Sequence, residues 1–121
     1  MAEGDKNNYN LEARTKEFGN RVIRMCRSLP SDAVNDRLIR QAVGSANSVG
    51  GNYCEANDAL SKKDRLNRFR ITRKEAKESK LNLEHLATAN PAVSPRMQSL
   101  IQEADELKRI FSAIIDKLDS H

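Results

Sequence analysis

Apolar residues recur at intervals of three and four along four segments of the chain, and no segment shows the alternation typical of a strand. In the first segment they form a regular seam: Leu11, Phe18, Val22, Met25 and Leu29, with Thr15 at the remaining position. Alternating steps of four and three are typical of a helix in a bundle. We therefore predict a helix that is capped by Asn10 and ends at Leu29, before Pro30.

The second segment, residues 38–59, has two different faces. Its apolar face consists of Leu38, Ile39, Ala42, Ala46, Val49, Tyr53 and Ala56. The opposite face, called the small-residue face below, carries Gly44, Ser48 and Gly51, where a solvated helix normally carries Lys and Glu. We predict a helix from Ser31–Asp32 to Ala59 in which this face and Gly50 allow close packing, either within the subunit or between subunits.

Two further helices complete the predicted fold. The third begins at a capping sequence, Ser61 to Asp64, and stops at Asn90-Pro91, while Ser94-Pro95 is interpreted as the N-cap and first residue of the fourth. The seam of the fourth helix is Met97, Leu100, Ala104, Leu107, Phe111, Ile114 and Leu118. The pattern predicts an all-α, antiparallel up-down-up-down four-helix bundle over residues 10–119, preceded by a disordered tail over residues 1–9.

The composition favours a cytoplasmic protein that assembles with copies of itself. Of 121 residues, 38% are hydrophobic and 4% aromatic, so the core of one subunit is small and oligomerisation would bury more surface. No apolar run approaches the roughly 20 residues that span a membrane, and the polar N-terminus does not resemble a signal peptide. Cys26 and Cys54 fit neither a metal site nor a CxxC motif, and we interpret both as reduced packing residues.

The third helix concentrates the positive charge of a chain whose formal net charge is +4. On a helical wheel, seven of its bases fall within one third of the circle, opposite the apolar face. Six of these form what we call the basic stripe: Lys63, Arg70, Arg73, Lys74, Lys77 and Lys80. Segregated positive charge favours contact with nucleic-acid phosphates, and a solvated helix face is the alternative interpretation.

A second polar set lies on the second and third helices: Arg40, Asn52, Glu55, Glu75 and Glu78. Di-metal sites in helical bundles use Glu-x-x-His pairs, and no Glu in this chain has His three residues later. We interpret the set as a structural polar network that fixes the register of the two helices. Since no nucleophile motif or glycine-rich phosphate loop occurs either, we predict no enzymatic activity, no metal and no cofactor.

Two segments resemble a known family, the 23S rRNA-intervening-sequence proteins. Residues 40–56, RQAVGSANSVGGNYCEA, resemble its second-helix motif R-A-x-x-S-x-x-x-N-x-x-E-[AG], with matches at Ser48, Asn52, Glu55 and Ala56. Residues 69–86, FRITRKEAKESKLNLEHL, resemble its third-helix pattern, with Glu75 and Glu78 at the two glutamate positions. The chain departs from the family pattern at Gly50, Gly51 and Tyr53, where relatives tend to carry Ala and Ile.

The resemblance implies an antiparallel four-helix bundle without established enzymatic activity that assembles into a ring, often a pentamer. Some relatives are encoded within insertions in 23S rRNA genes, and distant relatives are accessory proteins of retroelements that bind a reverse transcriptase and nucleic acid. The leading hypothesis is a homo-oligomer that associates with nucleic acid, RNA above all, through the basic stripe. The alternative is a scaffold that binds an acidic protein partner, such as a reverse transcriptase, without touching nucleic acid.

Overall fold

The protein is a bundle of four helices in a computed structural model, which describes the backbone of residues 3–120 and the side chains of residues 11–120. The helices are α1 (Glu3–Arg27), α2 (Ala33–Asp58), α3 (Lys62–Ala89) and α4 (Ser94–Asp119), with a 3-10 turn at Pro91–Val93. No strand occurs in this part of the chain, so the prediction of an all-α fold with four helices is confirmed.

The predicted starts of α2 and α3 are confirmed by their caps. The side chain of Asp32 accepts a hydrogen bond from the backbone N–H of Asn35 at 2.8 Å, and Ser61 Oγ accepts one from Asp64 at 3.1 Å. Each bond satisfies one of the donors that a helix leaves free at its N-terminus.

The start of α4 differs from the prediction. Ser94 does not cap the helix, because the 3-10 turn at Pro91–Val93 leads directly into it and Ser94 already has helical angles (φ −52°, ψ −44°). The residue before the helix, Val93, has no side-chain cap hydrogen bond. The N-terminus of α4 is therefore uncapped by any side chain.

The first helix begins at Glu3, earlier than the predicted cap at Asn10. The predicted disordered tail, residues 1–9, lies outside the residues whose side chains are described, and it stays a prediction. Further along α1 the expected seam is buried from Leu11 to Met25, and Leu29 packs against its end.

The core is built from the predicted seams, with one shift in α4. Ile115 is 4% exposed, whereas Ile114 and Leu118 are only partly buried. A straight helix has 3.6 residues per turn, so over several turns the inward-facing position drifts from a strict heptad. The centre of the core is an aromatic cluster, in which the ring of Tyr53 lies 6.2 Å from that of Phe69 and 5.9 Å from that of Phe111.

Two glycines lie where α1 meets α2. A Cβ added at Gly50 would lie 3.8 Å from the carbonyl oxygen of Thr15, and one added at Gly19 would lie 3.5 Å from Oδ1 of Asn47. The expected close packing at Gly50 therefore occurs within the subunit, against α1. A Cβ added at Gly44 or Gly51 would meet no other helix or side chain within 4 Å among the described residues, so both glycines lie open on this part of the chain.

Candidate nucleic-acid interface

The basic stripe lies along the outer side of α3. Lys63, Arg70, Lys74 and Lys77 are exposed, while Arg73 and Lys80 are partly buried. The opposite side of the same helix packs into the core through Leu66, Phe69, Thr72, Ala76, Ser79, Leu83 and Leu86. This division of α3 follows from its sequence, because apolar and small residues recur with helical spacing and the bases occupy the remaining positions.

Half of the stripe is held by acidic residues. The side chain of Arg70 lies 3.4 Å from Asp119, and Lys80 Nζ lies 3.1 Å from Asp105 Oδ1. Lys74 approaches Glu78 one turn away at 4.0 Å. Among the side chains that the structure describes, Lys63, Arg73 and Lys77 form no ion pair, so their charges are available to a ligand.

Asp105 in α4 collects three cations. Lys80 and Lys108 both reach Oδ1, at 3.1 and 3.3 Å, and Arg109 Nε reaches Oδ2 at 2.9 Å. The hydrogen bond from Lys80, supported by Lys108 and Arg109, holds the pKa of Asp105 below its usual value. Because one carboxylate cannot neutralise three cations, this corner of the bundle stays positive.

Lys108 and Arg109 were not predicted from the sequence to belong to the site. Their spacing from Asp105, three and four residues along one helix, was visible in the sequence, but their proximity to α3 was not. In the structure Lys108 joins Lys74, Lys77 and Lys80 around a groove of about 490 Å³ between α3 and α4. Glu78 and Glu84 also line this groove, so its charge is mixed.

The predicted polar network is only partly assembled between α2 and α3. Arg68 donates a hydrogen bond to Asn52 at 3.2 Å, and Asn52 donates one to the backbone oxygen of Ser48 at 2.9 Å. Arg40 and Glu55 are exposed. Glu55 lines an open groove between α2 and α3 together with Arg68, and Arg40 lies at the surface.

Other hydrogen bonds between α2 and α3, which the sequence did not predict, lie closer to the core. Ser79 Oγ donates to Ser45 Oγ at 3.0 Å in the buried contact, and the amide of Asn82 donates to Ser45 Oγ at 3.1 Å and to the backbone oxygen of Gln41 at 3.2 Å. In a sequence, a serine on an apolar seam looks like an ordinary packing residue. The hydrogen bond between Ser79 and Ser45 was therefore not apparent from the sequence. Together they fix the register of the two helices.

Glu75 and Glu78 line a groove beside the small-residue face. This groove, of about 540 Å³, is lined by Gly44, Ser48, Glu75, Glu78, Leu81 and three further polar residues of α2 and α3. Partial burial, together with the neighbouring carboxylate of Glu78, raises the pKa of Glu75. The face predicted to pack closely is thus not covered within the subunit.

The described residues offer little for catalysis. They contain no group of three or more His, Cys, Asp or Glu side chains that could hold a metal ion. Burial raises the pKa of the Cys26 thiol to about 11, which leaves it protonated and a poor nucleophile at neutral pH. Cys54 is exposed.

No helix within residues 3–120 is both long enough and apolar enough to cross a bilayer.

Comparisons with known proteins agree with the fold and with the resemblance seen in the sequence. A solved structure of a protein of unknown function from the S23 ribosomal protein family of Bacteroides thetaiotaomicron VPI-5482 is 26% identical, with a TM-score of 0.78 over 90% of this chain and 97% of that one. No curated protein sequence matches significantly. The family model for the 23S rRNA-intervening sequence protein matches residues 7–113, so the chain belongs to the 23S rRNA-intervening sequence protein family.

Proposed function

We propose that this protein is a non-enzymatic oligomer that associates with RNA through the phosphate backbone, using the basic stripe of α3. The observation that carries the proposal is the one-sided exposure of the stripe, in which Lys63, Lys74 and Lys77 point away from the core. Six bases concentrated along one helix create a local field that attracts phosphates. The chain belongs to a family whose name refers to an intervening sequence of 23S rRNA, and this is consistent with RNA as the ligand.

The contact is proposed to be independent of base sequence. Phe18, Tyr53, Phe69 and Phe111 are all buried, so these rings are not available to stack on bases. A row of lysine and arginine side chains along one helix suits the repeating phosphates of an RNA backbone. It is less suited to reading the edges of particular bases. Affinity would then fall steeply with salt and vary little between sequences.

We also propose the up-down-up-down topology for the bundle. Contacts between neighbouring helices support it, because residues later in one helix contact residues earlier in the next. Arg14 pairs with Glu103, whereas Arg21, further along α1, bonds to Ser99, earlier in α4. Between α3 and α4, Arg70 meets Asp119 and Lys80 meets Asp105.

The proposed oligomer is a ring of identical subunits, a pentamer by family resemblance, in which the small-residue face contributes to the interface. The open space beside Gly44 and Gly51 supports this role, because an added Cβ at either glycine would meet no other helix or side chain within 4 Å among residues 11–120. Small residues allow another backbone to approach closely. A ring would also repeat the basic stripe around its surface and strengthen its field.

The test is fluorescence anisotropy with a labelled single-stranded RNA of mixed sequence at about 50 and 200 mM salt. The variant Lys63→Gln/Lys74→Gln/Lys77→Gln removes three exposed charges of the stripe. Its matched control, Lys16→Gln/Arg37→Gln/Lys117→Gln, removes three exposed charges from the other helices. We expect the stripe variant alone to lower affinity and to reduce the salt slope by about 2, since each lost contact to single-stranded RNA accounts for about 0.7.

The alternative, a scaffold for an acidic protein, predicts a different outcome. The purified protein would then show no RNA binding at either salt concentration. Equal losses in the stripe variant and its control would also contradict the proposal, because net charge rather than the stripe would be responsible.

A further inference from the structure

Three arginines from two helices line a groove between α1 and α4, on the side of α4 that faces away from α3. The groove has a volume of about 360 Å³ and is lined by Arg21, Arg24, Met25, Arg96, Ser99 and Leu100. Arg21 and Arg24 are one turn apart in α1, and Arg96 lies in the first turn of α4. Arg96 is distant in sequence from the other two, and the packing of α4 on α1 brings it to them.

The groove carries positive charge without an acidic residue in its lining. Glu17 pairs with Arg24 at 2.9 Å but does not line the groove, and both side chains are more than half exposed. Water therefore screens the ion pair between Glu17 and Arg24. An anion with more negative charge than a carboxylate can then compete with Glu17 for the Arg24 guanidinium. The groove between α3 and α4 differs in this respect, since Glu78 and Glu84 lie among its lysines.

The floor of the groove is apolar, and one arginine is already held in position. Met25 is 8% exposed and Leu100 is 3% exposed, and they form an apolar floor. This floor has no charged group that would compete with a ligand for the arginines. Arg21 donates a hydrogen bond to Ser99 Oγ at 3.0 Å. The Ser99 hydroxyl accepts this bond and keeps its own proton to donate to a ligand oxygen.

The end of α4 adds to the same field. Arg96 follows the uncapped N-terminus of this helix, where Val93 provides no side-chain hydrogen bond. The aligned peptide dipoles give the N-terminal end of a helix a partial positive charge, which here adds to the charges of the three guanidinium groups.

We infer that this arginine groove binds a phosphate group. Guanidinium groups suit phosphate because their N–H donors can bond two oxygens at once. The phosphate comes from a polynucleotide backbone if the proposed function holds, and from a small phosphorylated ligand otherwise. In the first case the groove is a second RNA contact, separate from the basic stripe.

The first experiment uses inorganic phosphate as the probe. The arginine Nε–Hε resonances of the full-length protein are followed by NMR during a titration with phosphate, with chloride at equal ionic strength as the reference. We expect the resonances of Arg21, Arg24 and Arg96 to shift with one saturating curve. The variant Arg21→Gln/Arg96→Gln should abolish saturation at Arg24, whereas the control Arg37→Gln/Arg40→Gln should not. Absence of a phosphate-specific shift would overturn the inference.

The second experiment measures RNA affinity of the same variants by anisotropy. With a polynucleotide as the source, Arg21→Gln/Arg96→Gln lowers affinity about tenfold at low salt, and the loss adds to that of the stripe variant. A phosphate shift without an effect on RNA affinity assigns the groove to a small phosphorylated ligand. If the wild-type protein binds no RNA, the proposed function fails, and the phosphate titration still decides the inference. Circular dichroism and urea unfolding confirm that each variant is folded.

Discussion

Asn35 and Asn90, which lie far apart in the sequence, form a reciprocal pair of amide hydrogen bonds. The Asn35 amide donates to Asn90 Oδ1 at 3.0 Å, and the Asn90 amide donates to Asn35 Oδ1 at 2.8 Å. Their second protons bond to the backbone oxygens of Pro30 and Leu86, both at 2.9 Å. One pair of side chains thus joins the loop after α1, the first turn of α2 and the end of α3.

Replacing Asn35 with Ala should destabilise the fold. Asn35 is 2% exposed, and its loss leaves Asn90 Oδ1, one amide proton of Asn90 and the backbone oxygen of Pro30 without their partners. We expect a loss of about 2 kcal/mol in the free energy of unfolding, measured with urea. The control Asn57→Ala changes an exposed residue of α2 and should have little effect. In the double variant with Asn90→Ala the losses should be less than additive, since the pair acts as a unit.

Substitutions at Gly44 should separate the stability of the subunit from its assembly. Since no atom lies within 4 Å of an added Cβ, Gly44→Ala should stabilise the isolated subunit by about 1 kcal/mol through helix propensity. Gly44→Arg should leave the helices folded but reduce the native mass measured by light scattering. The matched control is Ala113→Arg, at an exposed position of α4. An unchanged mass for Gly44→Arg would exclude the small-residue face from the interface.

Glu75 should make the free energy of unfolding fall as pH rises, whereas a carboxylate in an ordinary ion pair makes it rise. Its pKa is raised in the folded protein, so its contribution to stability is full below the usual glutamate value of about 4.3 and is lost as pH rises through the folded value. We expect Glu75→Gln to be more stable than wild type at neutral pH, with the difference vanishing in acid. Urea unfolding at several pH values measures this, with Glu84→Gln as the exposed control.

Asp105 should show the reverse dependence. Its pKa is lowered, so its contribution is present above the usual aspartate value of about 3.9 and is lost as pH falls through the folded value. We expect Asp105→Asn to lower the melting temperature at neutral pH, with a smaller effect in acid or in high salt. Asp116→Asn, at an exposed position of the same helix, is the control. Under the proposed function, releasing Lys80, Lys108 and Arg109 should also raise RNA affinity, so stability and binding would change in opposite directions.

The helices and most of the core were predictable from the sequence because they depend on local periodicity. The α1 seam from Leu11 to Met25 is buried as expected, and α3 ends at Ala89 as Asn90-Pro91 indicated. The failure at Ser94 has a local cause: a 3-10 turn can replace the capped start that Ser-Pro favours. The side of α3 that bears the basic stripe was also predictable, since it follows from the helical wheel.

Contacts between helices were not predictable in the same way. The pairing of Asn35 with Asn90 and the ion pair of Lys80 with Asp105 depend on how different helices align. The arginine groove was missed because Arg21 and Arg96 are separated by most of the chain and neither belongs to a charged run. A single sequence shows charge clusters within a helix but not those formed by two helices.

The aromatic cluster has a consequence for how the bundle opens. Tyr53, Phe69 and Phe111 come from α2, α3 and α4, and their rings lie within 6.3 Å of one another. Within residues 11–27 the first helix contributes no ring to this cluster, and it meets α2 partly through glycine and threonine. Detaching α1 therefore costs less buried apolar surface than separating the other three, and its amide hydrogens should exchange with solvent first. We therefore expect the native state to open transiently to a three-helix form with α1 released, in which the arginine groove no longer exists.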